Sequence, residues 1–192
     1  MKNTAYQDDF FRYECYNGKL VAMSPRPSID HSRVVGNIYR LLYGFFRDRS
    51  CEAFSDGIDV HFDEKTWVVP DGMVVCRHDF IKRDGIYGPP DLIVEVLSPG
   101  TAKNDKGVKK EIYESFGVAE YWIVDINNRS VDVNCLQDGR YVLEEVCSIY
   151  PEYLLKKMSE QEKEKAKDEF YSRRFPELKV SLKDVFEDVV FC

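Results

Sequence analysis

Two acidic residues stand in segments that otherwise have the composition of buried strands. Asp71 follows Val-Pro at residues 69–70, and Glu95 interrupts the apolar run 92–97. A buried carboxylate is costly to desolvate unless it is paired, protonated or bound to a cation. Two acids can share a divalent cation, which lowers the pKa of a bound water and neutralises charge on a phosphoryl oxygen. The pair therefore predicts a metal site, and oxygen ligands favour Mg²⁺, with Mn²⁺ as a substitute, over zinc.

A helix predicted over residues 101–116 adds a cation to these acids. Its apolar stripe consists of Val108, Ile112 and Phe116. At 3.6 residues per turn Lys109 falls inside that stripe, whereas Lys106 and Lys110 fall on its flank. A lysine on a packing face must reach an anion or water, so we expect Lys109 to reach the carboxylates of the preceding strand. There it would orient the attacking water or help to deprotonate it. Extension of Lys109 to solvent is one alternative, and use of Lys106 or Lys110 is another.

A hairpin and a long helix precede the acids. Asn17-Gly18 is a strong two-residue turn signal and predicts a β-hairpin over residues 10–23. Periodic apolar residues predict a helix from Ser28 or Asp30 to Arg49. His31 lies on the inward stripe of its first turn. Two interpretations are open for His31: a hydrogen-bonded histidine at the edge of the core, or a residue at the mouth of the site.

The remaining pattern predicts a mixed α/β fold with a central sheet. Strands are expected at residues 58–62, 67–76 with a break at Pro70, 92–97, 120–125, 130–136, 141–146 and 178–182. The run 92–97 has the continuous apolar character of a central strand buried on both faces. Turn residues between the strands that follow residue 120 predict an antiparallel meander.

Length and composition limit the class of protein. The chain has 192 residues, 44% of them hydrophobic, which suits one domain over 1–192. Residues 150–175 form a charged insertion within it, with a helix predicted over 152–167. No apolar run approaches the roughly 20 residues of a membrane helix. The first nine residues lack the apolar core of a signal peptide, so we expect a cytoplasmic protein.

Net charge and the spacing of the cysteines exclude further classes of protein. A net charge of −7 argues against non-specific coating of nucleic acid, but not against an enzyme that meets phosphates through a metal and a local basic patch. The six cysteines are scattered, without the spacing of a zinc site, and without an export signal we expect free thiols.

Several motifs together resemble the PD-(D/E)xK nuclease superfamily, and within it the Uma-two-type family of restriction endonucleases. They are Gly-Lys-Leu-Val-Ala-Met-Ser-Pro at residues 18–25 followed by His31, Val-Pro-Asp at 69–71, Pro-Asp-Leu-Ile-Val-Glu-Val-Leu-Ser-Pro at 90–99, Asp105 with Lys109 and Tyr113, and Gly-Val-Ala-Glu-Tyr-Trp-Ile-Val-Asp at 117–125. The resemblance covers residues 10–146 and resumes at 178–186. It implies a restriction-endonuclease-like fold, Mg²⁺-dependent hydrolysis of phosphodiester bonds in DNA, and a homodimer.

The resemblance also implies site residues. Asp71 and Glu95 would be metal ligands, together with the backbone carbonyl of Val96. The superfamily's lysine, two residues after the acid, is replaced here by Leu97, and in the resembling family that function moves to the next helix, where Lys109 stands. The superfamily's acid on the first helix has no obvious counterpart, and His31 occupies the nearest position. Three residues, His31, Ser98 and Tyr113, are expected to support the ligands or contact phosphate.

Two other interpretations compete with catalysis. The chain could be a catalytically inactive nuclease-fold protein that serves as a binding or assembly module, since fold alone does not establish function. In a purely structural alternative, Asp71 caps a turn and Glu95 forms a buried ion pair with Lys109.

Overall fold

The structure, a computed structural model, describes residues 12–23 and 26–190. The predicted start of the hairpin at residues 10–11 lies outside these ranges. The strands of the described part are β1 (Tyr13–Tyr16), β2 (Lys19–Ala22), β3 (Glu52–Ser55), β4 (Val60–Asp63), β5 (Thr66–Val68), β6 (Gly72–Val75), β7 (Ile86–Tyr87), β8 (Leu92–Val96), β9 (Glu120–Asp125), β10 (Ser130–Gln137), β11 (Arg140–Ser148), β12 (Glu169–Tyr171) and β13 (Lys179–Ser181). The helices are α1 (Ile29–Phe46), α2 (Ala102–Lys106), α3 (Val108–Phe116), α4 (Glu152–Leu155), α5 (Glu160–Lys165) and α6 (Leu182–Val185).

A six-stranded mixed sheet forms the centre, in the order β11-β10-β9-β8-β6-β3. Strands β8 and β9 are parallel, and the other neighbours in this sheet are antiparallel. Every residue of β8 is buried, as predicted for a central strand. The mixed α/β fold class with helices against a central sheet is confirmed.

The two faces of this sheet bury two separate cores. Leu92, Val94 and Val96 belong to the core that contains the buried face of α1. Ile93 belongs to the other core, together with residues of α3 and of a second sheet. Because side chains alternate along a strand, Glu95 lies on the same face as Ile93. The acid therefore faces α3 rather than α1.

A second, five-stranded sheet has the order β2-β1-β5-β4-β7. The predicted hairpin is confirmed for its described part, with Asn17 and Gly18 at φ of 51° and 84° in the turn. Strand β5 belongs to this sheet and β6 to the six-stranded one. The predicted break at Pro70 is thus the point where the chain crosses between sheets, which leaves Asp71 between them.

Helix α1 begins where the sequence predicted and ends earlier. Ser28 caps it by accepting a hydrogen bond from the backbone N–H of His31 at 3.1 Å. It ends at Phe46 rather than Arg49, because Arg47 leaves the helical region with ψ of 129° and Asp48 follows at φ of 65°.

Two predicted helices are each divided. Residues 101–116 form α2 and α3, separated at Gly107, where a Cβ would lie 2.8 Å from the backbone carbonyl oxygen of Lys103. Residues 152–167 form α4 and α5, because Ser159 starts a new helix through a capping box with Glu162. Among the described residues, no helix is long and apolar enough to cross a membrane.

The expectation of free thiols is wrong for two cysteines. Cys51 and Cys76 form a disulfide, while Cys15, Cys135 and Cys147 are free and buried. Strands β3 and β6 pair with Glu52 opposite Val75, so the next residues outward, Cys51 and Cys76, stand opposite each other. This long-range pairing is what the spacing of cysteines in the sequence could not reveal.

Candidate active site

Asp71 lies at the crossing between the two sheets, beside the end of β8. Its Oδ2 accepts a hydrogen bond from the backbone N–H of Val96 at 2.7 Å and lies 3.3 Å from Nε2 of His31. The side chain is mostly buried, at 16% exposure. Asp71 therefore binds the neighbouring strand rather than capping its own turn, contrary to the structural alternative.

Glu95 is buried on the face of β8 that meets α3. Its Oε1 accepts hydrogen bonds from the hydroxyl of Tyr113 at 2.6 Å and from Nζ of Lys109 at 2.9 Å. Burial raises the pKa of Glu95 well above its ordinary value, and this effect outweighs the lowering by Lys109. Nearby carboxylates raise it further.

Lys109 is the centre of the cluster, with its side chain 4% exposed. Its Nζ lies 2.9 Å from Oε1 of Glu95, 2.9 Å from Oε1 of Glu14 and 3.5 Å from Oδ1 of Asp105. Lys110 instead donates a hydrogen bond to Asn134 at 2.7 Å. The helical periodicity thus identified the lysine that reaches Glu95.

The charge state of Lys109 limits what it can do. Burial alone lowers its pKa, but Glu95, Glu14 and Asp105 together hold the pKa well above the ordinary value. The side chain is therefore an ammonium that donates hydrogen bonds. In this state it is suited to orient a water or to stabilise negative charge.

Glu14 is a member of the cluster that the sequence did not predict. It is 4% exposed on β1, and its Oε1 accepts a hydrogen bond from the backbone N–H of Val69 at 2.9 Å. Its Oε2 accepts one from the hydroxyl of Tyr16. The signal was an acid inside a β-prone run of the hairpin, but nothing local indicated that the hairpin packs against α3.

Asp105 is the second member without a predicted role, although it belongs to the resembling motif. It lies on α2, four residues before Lys109, with a relative exposure of 1%. Its Oδ1 is buried and has no hydrogen-bond partner among the described residues. Burial raises the pKa of Asp105 more than Lys109 lowers it. An unsatisfied buried carboxylate oxygen is costly, and a cation in the cavity would satisfy it.

His31 lines the cavity and is also hydrogen-bonded, so its position agrees with both of the interpretations that the sequence left open. Its Nε2 is 3.0 Å from the backbone carbonyl oxygen of Val96, the third expected ligand. Burial lowers its pKa, but the hydrogen bond and charge of Asp71 and the carbonyl of Val96 raise the pKa above its ordinary value.

Tyr113 and Ser98 differ in where the structure places them. Tyr113 contacts Glu95, as expected of a supporting residue. The hydroxyl of Ser98 lies 3.0 Å from that of Thr101, and within the described ranges it forms no hydrogen bond with Asp71 or Glu95. A contact of Ser98 with phosphate stays a prediction.

The cluster encloses a small polar cavity with an excess of negative charge. A volume of about 60 Å³ is lined by four acids, one lysine and one histidine: Glu14, Asp71, Glu95, Asp105, Lys109 and His31. Even with both basic residues charged, four ionised acids against two cations leave a formal charge of −2. A structural ion pair between Glu95 and Lys109 needs one acid, and the burial of three further acids in the same cavity is costly to stability.

The donor set fits a hard divalent cation. Asp71, Glu95 and the Val96 carbonyl offer oxygen only, and Mg²⁺ is typically held by one or two carboxylates together with substrate phosphates. In the described ranges 12–23 and 26–190, no group of three or more histidine, cysteine or acidic side chains is arranged to hold a metal. The expected ligands are two carboxylates and one backbone carbonyl, so they do not amount to a group of three such side chains. The unsatisfied Oδ1 of Asp105 adds a further oxygen near the cavity.

A larger cavity, of about 700 Å³, lies at the opposite end of α1, against Phe45 and the Cys51–Cys76 disulfide. Its charged side chains are already paired: Arg49 with Glu177 and Arg174 with Asp91. The chemistry therefore favours the small cavity as the active site, despite its size.

Comparisons with known proteins agree with this fold. The model of the Uma2 family, described as "Putative restriction endonuclease", matches residues 4–159. Among solved structures, the chain is similar to a protein from Anabaena variabilis ATCC 29413, described as a putative nuclease belonging to DUF820. The TM-score is 0.65 at 20% sequence identity, with 91% of this chain and 89% of that chain covered. No curated protein matches the chain significantly. The family match spans most of the sequence, and the chain therefore belongs to the Uma2 family.

Proposed function

We propose that this protein is a Mg²⁺-dependent endonuclease that hydrolyses phosphodiester bonds in DNA, with Mn²⁺ as a substitute. The observation that carries the proposal is the buried excess of carboxylates around one ammonium in the cavity beside β8. Membership of the Uma2 family supports a nuclease, and the oxygen-only donor set supports the choice of metal.

Asp71 and Glu95 would hold the metal, with the Val96 carbonyl. When bound, the metal would neutralise negative charge on the phosphoryl oxygens and lower the pKa of a bound water. Tyr113 fixes the orientation of the Glu95 carboxylate through its hydroxyl. His31 contacts both Asp71 and the Val96 carbonyl, so it keeps these two groups together at the cavity mouth.

Lys109 would act on the reacting oxygens as a hydrogen-bond donor. Glu14 and Asp105 hold its Nζ beside Glu95, so the ammonium does not need to reorganise when charge develops on a phosphoryl oxygen. Glu14 also ties Lys109 to the crossing that carries Asp71, through the backbone N–H of Val69. A shift of the hairpin would therefore disturb the lysine and the acid together.

Cleavage of supercoiled plasmid, linear duplex, single-stranded DNA and RNA with Mg²⁺ or Mn²⁺ tests the proposal. We expect Asp71→Asn and Glu95→Gln to lose activity by more than roughly 100-fold, because residues that merely orient metal ligands already contribute about 10–100-fold. Glu64→Gln, at an exposed acid, is the matched control and should retain activity.

Activity that survives unchanged in both site variants, or no cleavage of any substrate, would contradict the proposal. The second outcome would favour the inactive binding module. The DNA and RNA arms identify the nucleic acid, and light scattering checks the homodimer that the resemblance implies.

A further inference from the structure

A second groove borders the cavity of the acid–lysine cluster. It lies between β2 of the hairpin and the junction of α2 with α3, and its volume is about 600 Å³. Asn104 lines both this groove and the acidic cavity, so the two are adjacent. We call it the hairpin–helix groove, defined by Lys19, Leu20, Val21, Lys103, Asn104 and Val108. Its volume is in the range of pockets that enclose ligands of nucleotide size.

The groove differs from the cavity in charge. Its lining contains two lysines, Lys19 and Lys103, and no acidic residue. Both lysines are exposed, and neither forms an ion pair or a side-chain hydrogen bond with another residue in the described ranges. Elsewhere many exposed cations have a carboxylate partner, for example Arg33 with Asp30 and Lys179 with Glu169. Two cations without such a partner are available to an external anion.

The groove also presents apolar surface to solvent. Leu20 is 63% exposed at the hairpin, and Val21 and Val108 lie in the same lining. A surface that combines ammonium groups with aliphatic side chains matches a nucleic acid strand, which carries phosphates beside sugars and bases.

Electrostatics favour such a surface near this site. Four acids and two basic residues line the cavity, and the whole chain carries −7, so cations close to the point of entry would help a polyanion to approach. Lys109 adds little attraction at long range, because three carboxylates already surround its ammonium.

We propose that the hairpin–helix groove binds the substrate strand on one side of the scissile phosphate. Lys19 and Lys103 each contact a backbone phosphate, and Leu20 contacts a sugar or base. The inference rests on the proposed nuclease function, whose site it extends. The amino end of α3 borders the groove at Gly107 and Val108.

Fluorescence anisotropy of a labelled DNA oligonucleotide, in chelator so that no cleavage occurs, tests the groove. Binding of the full chain is measured across a salt series for Lys19→Gln, Lys103→Gln and the double variant. The slope of log K against log[salt] is negative, and each lost phosphate contact reduces its magnitude by about 0.7 for a single strand and 0.9 for a duplex. The magnitude is therefore expected to fall by about 1.4 to 1.8 in the double variant. Leu20→Ala should weaken binding without a change in slope.

Lys157→Gln is the control, since Lys157 is exposed and lies outside the groove. In cleavage assays the groove variants should raise KM and leave kcat unchanged, because the contacts act on ground and transition states alike. Thermal unfolding verifies that the exposed substitutions leave the fold intact.

The outcomes separate the groove from the catalytic proposal. If the protein cleaves DNA but the double variant keeps the wild-type slope and KM, the groove proposal is wrong and the proposed nuclease function is unaffected. A protein that binds DNA through both lysines but cleaves nothing with any metal supports the groove and overturns catalysis. A wild-type protein that does not bind the labelled DNA oligonucleotide overturns the groove.

Discussion

Replacement of Lys109 by methionine would test whether the buried acids depend on one ammonium. Methionine is unbranched and apolar, so the substitution removes the charge while filling most of the space. Three carboxylates lose a partner at 2.9, 2.9 and 3.5 Å. They are almost fully buried, so hydration compensates only partly for the lost ammonium.

The expected loss in unfolding free energy is about 3–5 kcal/mol at pH 8, the range for removing one partner of a buried ion pair. The loss should shrink towards pH 5. Lys109, with a raised pKa in the folded state, contributes fully throughout this range. The change with pH comes from the acids: the folded-state pKa of Glu95 is above its unfolded value, and it rises further without Lys109. The cost of burying its charged form is therefore absent at low pH and grows as pH rises.

Urea denaturation followed by circular dichroism, in chelator at several pH values, measures these free energies. Lys106→Met is the matched control at an exposed lysine, with an expected change within about 0.5 kcal/mol. Adding Glu95→Gln to Lys109→Met should recover part of the loss, because it removes one of the uncompensated acids. Equal losses for Lys109→Met and Lys106→Met, or a loss independent of pH, would refute the electrostatic description of the cluster.

Two further predictions concern the metal and the disulfide. Because burial raises the pKa of Glu95 and Asp105, the metal-free protein loses their contribution to stability as pH rises above about 4.5, while a cation binds only the deprotonated acids. Excess Mg²⁺ should therefore raise the melting temperature more at pH 8 than at pH 5 in differential scanning fluorimetry, and an equal increment at both would contradict this. Cys51→Ser with Cys76→Ser should lower the unfolding free energy by about 3 kcal/mol, given the sequence separation of 25, and reductant should have no further effect on that variant. A double variant as stable as the wild type would show that the disulfide does not stabilise the fold.

Local sequence patterns predicted the contacts that are formed between segments adjacent in the chain. The apolar run around Glu95 predicted a fully buried central strand, and helical periodicity placed Lys109 on the packing face. The strand and the helix that follows it are adjacent in sequence. The position of Lys109 on the packing face of the helix was therefore enough to predict its contact with Glu95. The Asn17-Gly18 turn was equally local.

Local patterns could not predict contacts between segments that are distant in the sequence. Glu14 reaches Lys109 because β1 pairs with β5, with Cys15 opposite Trp67, and nothing near Glu14 specifies that pairing. The Cys51–Cys76 disulfide depends in the same way on β3 lying beside β6.

Diffraction from crystals grown with Mn²⁺, measured at the manganese absorption edge, tests the central claim most directly. The account predicts an anomalous peak between the carboxylates of Asp71 and Glu95, next to the Val96 carbonyl, with the ammonium of Lys109 still beside Glu95. The absence of a peak at these residues in a protein that cleaves DNA with Mn²⁺ would contradict the assignment of the site.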